Sequence, residues 1–477
     1  MKLYELLRDM EYKCEDKSLL KKDVVDLKID NREIKTGDVF IALKGNEHNG
    51  NDYIEQAMQS GAVAVISDEK GKGDIEVPNA RLAYSLMSKN YFERKCDDMK
   101  IVAVTGTNGK TSICNITADI LRGTGKKIGV IGTLGAEIDG EFIDTGFTTP
   151  DPYILHSIFK NMYDKGVKYV VMEASAHAIA LNKLEGIKFE VSVLTNITED
   201  HLDFFGTMDN YADAKIGLFN SQMTKVGLYC SGKNYVKTLL EKSNIPLFSY
   251  GFSEDCDYKA LIKEKSFDGT HFEIIDKKNN KFDIKTPLIG QFNIENTLSA
   301  FAICKRLGLN DNEILQGIKE IKPVEGRFNI IKNGDVNIVV DFAHTPDGLE
   351  KVLETAKDLA KGKIVAIFGC GGNRDRLKRP IMGEIASRYA DEVILTSDNP
   401  RYETPIEIIK EIKKGVNGDC LMIENRKEAI EYALKNFVDN ETIIIAGKGA
   451  EKYQEINGVK YPYNDFDVIE KFLKNNK

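Results

Sequence analysis

Short runs of apolar, largely β-branched residues recur along the chain and alternate with stretches in which apolar residues fall at helical spacing. Such runs predict buried strands, and their alternation with helices predicts an α/β fold with largely parallel sheets. The clearest run, residues 101–104, breaks at a glycine-rich turn. Apolar residues at helical spacing follow it: Ile113, Ile116, Ile120 and Leu121. The pattern therefore predicts a strand, a glycine loop and a helix, in that order.

The loop of this unit reads GTNGKTS and is a shortened form of the phosphate-binding P-loop. Its backbone N–H groups and the positive end of the following helix would face an anion. Lys110 is expected to reach the β- and γ-phosphates of a nucleotide, and the Thr111 hydroxyl to bind Mg²⁺. A strand-to-helix turn without a ligand is the alternative, which the flanking strand and helix disfavour. The predicted nucleotide contacts in the loop are Gly106, Thr107, Asn108, Gly109, Lys110, Thr111 and Ser112.

The pattern divides into α/β units at breaks in the hydrophobic runs. A chain of 477 residues has room for about three domains. A polar stretch ends the first unit near residue 98, and a second break falls before Gly326. We therefore expect domains at residues 1–97, 98–325 and 326–477.

Composition narrows the class of protein. A net charge of −8 argues against a general nucleic-acid binder, which would carry a basic surface. The eight cysteines are dispersed without a C-x-x-C pair, which is typical of reduced thiols rather than of disulfides or a zinc site. The amino terminus is too charged for a signal peptide, and no apolar run approaches the ~18 residues of a membrane span. We expect a cytoplasmic protein with no nucleic-acid partner and no membrane insertion.

Two polar residues follow predicted strands of the central unit. Glu173 ends one run, and His201 comes shortly after another. Because ligands of open parallel sheets gather at the carboxyl ends of strands, both side chains could face the nucleotide phosphates and bind a divalent metal. A carboxylate in this position equally serves as a helix cap, and a lone histidine is more often structural. Spacing alone therefore leaves the metal site open.

Lys215 lies in a predicted helix, YADAKIGLF, beside Ile216 and Phe219, which should face inward. A lysine in such a place usually extends its amine to the surface. A desolvated lysine would instead lose its proton readily and become reactive. Both interpretations stay open at this point.

Several longer stretches closely resemble the Mur ligases, in the order in which that family carries them. They are GTNGKTS (106–112), TTP (148–150), EASAHAI (173–179), TNITEDHLDFFGTMDNYADAKIGLF (195–219), EGRF (325–328), DFAHTPDGL (341–349), GCGGNRDRLKRPIMG (369–383) and SDNPRYETP (397–405). Together these stretches span essentially the whole chain. The P-loop alone would not separate this family from folylpolyglutamate synthetases.

The resemblance implies an ATP-dependent acid–amino-acid ligase of peptidoglycan precursor synthesis. It implies a UDP-sugar-binding amino-terminal domain, a central ATP-binding domain and a Rossmann-like carboxyl-terminal domain for the amino acid. The ligase would convert UDP-N-acetylmuramoyl-L-alanyl-D-glutamate into an acyl phosphate, and the amine of a diamino acid would displace phosphate. The DNPR motif at Asp398–Arg401 implies meso-diaminopimelate, although meso-lanthionine also carries two carboxylates and two amines. The implied cofactors are ATP and Mg²⁺ at two sites, and the expected state is a monomer.

The resemblance also implies roles for single residues. Thr111 and Glu173 would bind one Mg²⁺, and His201 and Lys215 a second, with Lys215 carbamylated by CO₂. The implied catalytic residues are Lys110, Glu173, His201 and Lys215. The implied contacts to adenine and ribose are Asn296, Arg327, Asp341 and His344. The implied contacts to the UDP-linked substrate are Asn31, Thr148, Thr149, Ser175 and Lys183. The implied contacts to the amino acid are Arg379, Asp398, Asn399, Arg401, Gly447 and Glu451.

The chain departs from the family pattern in places. Asn31 stands where serine is usual and Lys183 where arginine is usual, and Leu181 and Ala450 replace common polar residues. Two other functions are considered: a folylpolyglutamate synthetase, and a nucleotide-dependent binding or switch protein that has lost catalysis. The KRP and DNPR stretches argue against the first, and the intact Lys110 and its partners argue against the second.

Overall fold

The computed structural model describes residues 1–45 and 48–475. Within these ranges the strands form three larger sheets and one separate hairpin, with helices packed against the sheets. None of the helices in the described ranges is long and apolar enough to cross a membrane. The mainly parallel sheets confirm the predicted α/β class.

The first sheet lies in the amino-terminal part of the chain. Its strands are β1 (Lys13–Cys14), β2 (Leu27–Lys28), β3 (Val39–Ile41), β4 (Ala64–Ser67) and β5 (Ile75–Glu76). They lie in the order β1-β5-β4-β3-β2, parallel except for β1. The helices are α1 (Leu3–Leu6), α2 (Ile54–Gln59) and α3 (Ala80–Tyr91). Short 3₁₀ turns cover Leu19–Lys21, Asn31–Glu33, Gly50–Tyr53 and Lys95–Asp98.

The second sheet is the largest and carries the P-loop. Its strands are β6 (Lys100–Thr105), β7 (Ile128–Gly132), β8 (Gly135–Ile138), β9 (Glu141–Ile143), β10 (Tyr169–Glu173), β11 (Phe189–Leu194), β12 (Thr224–Cys230), β13 (Leu247–Gly251), β14 (Tyr258–Ser266), β15 (Gly269–Asp276) and β16 (Lys281–Thr286). They lie in the order β16-β15-β14-β13-β12-β11-β6-β10-β7-β8-β9. The strands from β14 to β7 are parallel, and antiparallel strands extend both edges. Residues 277–280 connect β15 to β16.

Helices cover both faces of this sheet. They are α4 (Lys110–Gly123), α5 (Pro152–Asp164), α6 (Ala176–Ala180), α7 (Leu202–Phe205), α8 (Met208–Ile216), α9 (Val236–Lys242), α10 (Gln291–Leu307) and α11 (Asp311–Ile318). Strand β6 is buried on both faces: Val102 and Val104 pack on one side, and Ile101 and Ala103 on the other. This burial explains its continuous apolar run. The four apolar residues predicted for one face of α4 are buried in the same core.

The third sheet begins with an antiparallel hairpin of its first two strands, and its other strand pairs are parallel. Its strands are β17 (Asn329–Asn333), β18 (Val336–Asp341), β19 (Ile364–Phe368), β20 (Glu392–Leu395), β21 (Leu421–Met422) and β22 (Thr442–Ala446), in the order β17-β18-β22-β19-β20-β21. A separate hairpin is formed by β23 (Tyr453–Ile456) and β24 (Val459–Pro462). The helices are α12 (Pro346–Leu359), α13 (Lys378–Tyr389), α14 (Pro405–Lys413), α15 (Arg426–Asn436) and α16 (Asp465–Asn475). The carboxyl end of β18 lies beside the P-loop, and the two sheets enclose the candidate site.

Candidate active site

The P-loop connects β6 to α4 and is held against the loop that follows β11. The Thr107 N–H donates to the Asn196 carbonyl at 2.9 Å, and the Thr195 hydroxyl donates to the Asn108 carbonyl at 2.6 Å. Gly106 has φ +143°, and a Cβ there would lie 1.8 Å from Thr195 Oγ1. Only glycine fits this close approach. The predicted strand, loop and helix are therefore all present.

Lys110 begins α4 and folds back over its own loop. Its Nζ donates to the carbonyls of Gly106 and Thr107 at 2.9 and 2.8 Å. Desolvation lowers the pKa of Lys110, and the nearby Glu173 carboxylate acts in the opposite direction. The amine is thus kept at the mouth of the loop, where the sequence predicts nucleotide phosphates.

Glu173 ends β10 and faces the first turn of α4. The Thr111 hydroxyl donates to Glu173 Oε1 at 2.8 Å, and the Thr133 N–H donates to the same oxygen at 2.9 Å. Arg327 Nη2 reaches Thr111 Oγ1 at 3.1 Å from the third sheet's side of the site. A Cβ on Gly132 would lie 2.4 Å from Glu173 Oε1. The structure therefore brings together the two residues predicted to share one Mg²⁺.

Lys215 is buried at the end of α8, with 1% of its surface exposed. Its Nζ donates to the Gly106 carbonyl at 2.9 Å and lies 4.4 Å from the centre of the Tyr211 ring. Burial lowers the pKa of Lys215 well below 10.5, and the charge of Lys110 adds to this effect. The side chain is therefore not a surface lysine. The predicted helix ends earlier than expected, at Ile216, although Phe219 beyond it is buried.

His201 lies on the loop after β11 with a partly exposed side chain. Its ring is 4.8 Å from that of His177, centre to centre, and its Nε2 is 3.4 Å from Asp200 Oδ2. Desolvation lowers the pKa of His201 to about 4, so the imidazole is neutral at pH 7 and able to bind a metal. Among the described residues, no three His, Cys, Asp or Glu side chains converge as a ready metal cluster.

A cavity of about 320 Å³ opens beside the P-loop, between the second and third sheets. The predicted nucleotide residues in its wall are Asn108, Gly109, Ser112, Asn296, Arg327, Asp341 and His344. The Asp341 carboxylate forms hydrogen bonds to the backbone, because it accepts the N–H groups of Phe328 and Ala343, both at 2.7 Å. Other residues line the cavity but are not among the nucleotide contacts predicted from the sequence. They are Lys233, Glu295, Phe342, Asp347 and Lys351. Of these, Phe342 and Asp347 lie within the DFAHTPDGL stretch, and Glu295 directly precedes Asn296 in the sequence.

The residues predicted for the UDP-linked substrate fall into two groups. Asn31 and Lys183 line a second cavity of about 730 Å³ that also contacts α3 and the start of α5. Lys183 forms an ion pair with Asp151 at 2.5 Å. The others lie near Glu173: the Thr149 hydroxyl donates to the Glu173 carbonyl at 2.9 Å and accepts the Ser175 N–H at 3.1 Å.

Thr148 and Ser175 complete this second group. The Thr148 hydroxyl lies 3.1 Å from that of Thr133, which itself contacts the Glu173 carboxylate. Ser175 caps α6, with its hydroxyl accepting the Ala178 N–H at 3.2 Å. These residues are therefore connected to Glu173, at the end of β10, through hydrogen bonds.

The residues predicted for the amino acid follow the carboxyl ends of β20 and β22, except for Arg379, which lies on α13. Arg379 and Arg401 approach one backbone segment, donating to the carbonyls of Gly371 and Gly372 at 3.2 and 2.8 Å. Arg401 has φ +50° and also pairs through Nε with Glu455 at 3.2 Å.

Arg379 is fully buried and bound by two carboxylates. Its guanidinium donates to Glu403 at 2.9 Å and to Glu411 at 2.7 Å. Gly447 is needed next to the DNPR motif, since a Cβ there would lie 2.7 Å from Asp398 Oδ2. Asn399 donates to Glu451 at 3.0 Å. All six predicted residues are thus gathered in one region.

The fold and the phosphate loop together define a P-loop nucleotide-binding protein. Three family profiles match the chain: the Mur ligase family catalytic domain at residues 24–90, the Mur ligase middle domain at 104–304 and the Mur ligase glutamate ligase domain at 326–449. The chain belongs to the Mur ligase family. The resemblance inferred from the sequence motifs is confirmed.

Curated relatives match over the full length. A protein of Clostridium tetani named UDP-N-acetylmuramoyl-L-alanyl-D-glutamate–2,6-diaminopimelate ligase is 36% identical over 486 aligned residues, covering 99% of each chain. A protein of the same name from Clostridium perfringens is 37% identical, covering 99% of this chain and 100% of its own.

Solved structures agree on the fold. A structure of UDP-N-acetylmuramoyl-L-alanyl-D-glutamate–2,6-diaminopimelate ligase is 30% identical with a TM-score of 0.73, covering 100% of this chain and 99% of its own. A MurF ligase from Thermotoga maritima, in complex with ADP, is 19% identical with a TM-score of 0.63, covering 97% and 100%. The latter likeness is one of fold alone.

Proposed function

We propose that the protein is an ATP-dependent ligase that joins meso-diaminopimelate to UDP-N-acetylmuramoyl-L-alanyl-D-glutamate, forming ADP and phosphate. This is a step of peptidoglycan precursor synthesis. The full-length relatives carry this activity in their names. The observation that carries the proposal is that one structure holds a P-loop, a large cavity lined by Asn31 and Lys183, and a cluster of the residues predicted to bind the amino acid around Arg401.

The chemistry requires the substrate carboxylate to attack the γ-phosphate of ATP, because a free carboxylate is a poor acylating agent. The resulting acyl phosphate has a good leaving group, which the amine of the amino acid displaces. Both steps crowd negative charge, so fixed positive groups lower the barrier. Lys110, held at the loop mouth by two carbonyls, is suited to this role.

Mg²⁺ is part of the proposal, and the donors present fit it. Thr111 and Glu173 offer a hydroxyl and a carboxylate 2.8 Å apart, which are the oxygen ligands that Mg²⁺ prefers. When bound, Mg²⁺ would neutralise phosphate charge. We propose His201 as a ligand at a second position, together with a carbamate on Lys215.

The carbamate would form when the neutral Lys215 amine attacks the carbon of CO₂ and loses a proton. This makes an N–C bond and leaves a carboxylate-like anion. Burial lowers the pKa of Lys215 well below its ordinary value, which favours the neutral, nucleophilic form of the amine. Without such a modification, the positive charge of Lys215 would duplicate that of Lys110 at the same loop.

The substrates are assigned to the remaining surfaces. We propose that the uridine end of the substrate contacts Asn31 and that its glutamate end lies near Thr149 and Ser175. Arg401 is proposed to bind the distal carboxylate of meso-diaminopimelate, a group that lysine lacks.

We also propose domain boundaries near residues 98 and 326, because each of the three larger sheets lies within one of the resulting ranges. The protein is proposed to act as a monomer in the cytoplasm. ATP would then lie between the second and third domains, whose closure would be part of the cycle.

The test is phosphate release with ATP, Mg²⁺ and the UDP-linked dipeptide, adding in turn meso-diaminopimelate, meso-lanthionine and L-lysine. Strong preference for the dicarboxylic amino acids is expected. Preference for lysine would retain the ligase and reject the assignment of Arg401. Stimulation by a folate alone would favour a folylpolyglutamate synthetase, and ATP binding without any phosphate release would favour a switch protein.

A further inference from the structure

Lys448 is a fully buried lysine that lies outside the nucleotide cavity. It follows β22, between two glycines, and its side chain is 0% exposed. A buried ammonium group is costly unless it is paired and hydrogen-bonded. Its Nζ meets this need with two partners, Asn399 Oδ1 at 3.0 Å and Glu451 Oε2 at 2.7 Å.

The two partners are also joined to each other. Asn399 Nδ2 donates to Glu451 Oε2 at 3.0 Å, so Lys448, Asn399 and Glu451 form a closed ring of hydrogen bonds. Because an ammonium group only donates, it requires the amide oxygen of Asn399 to face it. The same oxygen accepts the backbone N–H of Glu455 at 2.9 Å. One cation therefore sets the orientation of the amide and of the carboxylate.

The ring also leads to Arg401. Glu455, whose backbone is held by Asn399, pairs through its carboxylate with Arg401 Nε at 3.2 Å. Asn399 is 4% exposed, whereas the Glu451 side chain is 24% exposed. Lys448 thus stands behind the surface that the amino acid would meet, and its partners form that surface.

We infer that Lys448 is a positioning residue for the amino-acid pocket, which holds Asn399 and Glu451 in the arrangement that receives the diamino acid. The inference rests on the proposed function, under which Asn399 and Glu451 contact that substrate. Loss of the cation would leave the Glu451 carboxylate bonded to the Asn399 amide alone and Asn399 Oδ1 bonded to the Glu455 N–H alone, so both side chains would be held less firmly. Misplacement of contact groups is felt mainly in the binding and orientation of the substrate they hold.

The experiment uses the full chain with Lys448→Met. The KM for meso-diaminopimelate should rise about ten- to a hundredfold, while the KM values for ATP and the UDP-linked dipeptide stay unchanged. Lys448→Arg keeps a buried cationic donor and should recover part of the loss. If Lys448→Met does not fold, Lys448→Arg carries the test, with a smaller rise confined to the same KM.

A matched control is Lys89→Met. Lys89 is a similarly buried lysine, bonded to the Gly186 carbonyl at 2.6 Å and to Asp97 at 2.7 Å, at the contact between the first and second sheets' regions. Its loss should lower thermal stability without changing the KM for meso-diaminopimelate. An unchanged KM in the Lys448 variants, or equal rises in all three KM values, would overturn the inference. Absence of ligation by the unsubstituted protein would overturn the proposed function and this inference with it.

Discussion

The side-chain amide of Asn108 donates a hydrogen bond to the Asp347 carboxylate at 2.8 Å. Asn108 belongs to the P-loop and Asp347 to the first turn of α12, so the bond joins the two walls of the nucleotide cavity. Asn108→Ala and Asp347→Ala should each raise the KM for ATP, and a double-mutant cycle should give a coupling of about 0.5–1.5 kcal/mol.

The control for this cycle is Lys332→Ala. It removes the ion pair with Asp268, at 2.5 Å, which also joins the second and third sheets' regions but lies away from the nucleotide cavity. Its effect on the KM for ATP should be small, because exposed ion pairs contribute little. Additive effects of the Asn108 and Asp347 variants would show that the bond does not assist nucleotide binding.

Lys215→Ala should abolish ligation, and a small carboxylate such as formate in solution should restore part of the activity. The reason is that the variant lacks the proposed carbamate while leaving space for a free anion. Ligation rates with and without the added carboxylate measure the effect. Full activity of the variant, or a lack of response to CO₂ depletion in the unsubstituted protein, would remove the carbamate from the mechanism.

Arg401→Ala should weaken the reaction of meso-diaminopimelate by about 2–5 kcal/mol in kcat/KM, the cost of breaking a buried charge pair. The KM for ATP should not change, because Arg401 lies outside the nucleotide cavity. Relative kcat/KM values for meso-diaminopimelate and L-lysine give the selectivity, which should fall. An unaltered KM for the amino acid would exclude Arg401 from the pocket.

His156 on α5 gives the protein a pH-dependent stability. It is 1% exposed, its Nε2 has no hydrogen-bond partner among the described residues, and burial lowers its pKa from 6.5 to about 3. The unfolded chain takes up a proton below about pH 6.5, whereas the folded state stays neutral down to about pH 3. The free energy of unfolding should therefore decrease as the pH is lowered through this window. This group contributes at most about 1.4 kcal/mol per pH unit to the decrease.

Urea unfolding of His156→Leu between pH 4.5 and 7.5 tests this contribution. The variant should lose this part of the pH dependence, because leucine does not titrate. His271→Gln, which changes a histidine on β15 away from the core of α5, should keep it. An unchanged pH slope in His156→Leu would show that other groups dominate.

Much of the fold is visible in local patterns. The apolar run at β6, the glycines after it and the spacing of Ile113 to Leu121 specify strand, loop and helix without reference to other parts of the chain. The order of strands is different, because β10 and β11 flank β6 only through long-range packing. The sequence places Glu173 at a strand end, but it does not reveal that this strand is the neighbour of β6.

The limits of prediction are similar within the candidate site. The position of Lys215 beside inward-facing residues leaves open from sequence whether its side chain is buried. The fold shows that it is buried. The burial of Lys448 could not be predicted in this way, since a lysine between glycines is typical of an exposed turn. Its burial depends on Asn399, which lies 49 residues away in sequence. Arg379 is fully enclosed by two glutamates, which motif matching alone does not reveal.

One backbone contact links the two ends of the third sheet's site. The Gly447 N–H donates to the Asp341 carbonyl at 3.0 Å, so the strand end at the nucleotide cavity and the strand end at the amino-acid pocket are bonded neighbours. Any rigid-body rotation of this sheet must carry the proposed ATP contacts and the proposed amino-acid pocket together. ATP and the amino acid would then move toward the P-loop together. The sheet would fix their relative alignment, which would not change from one catalytic cycle to the next.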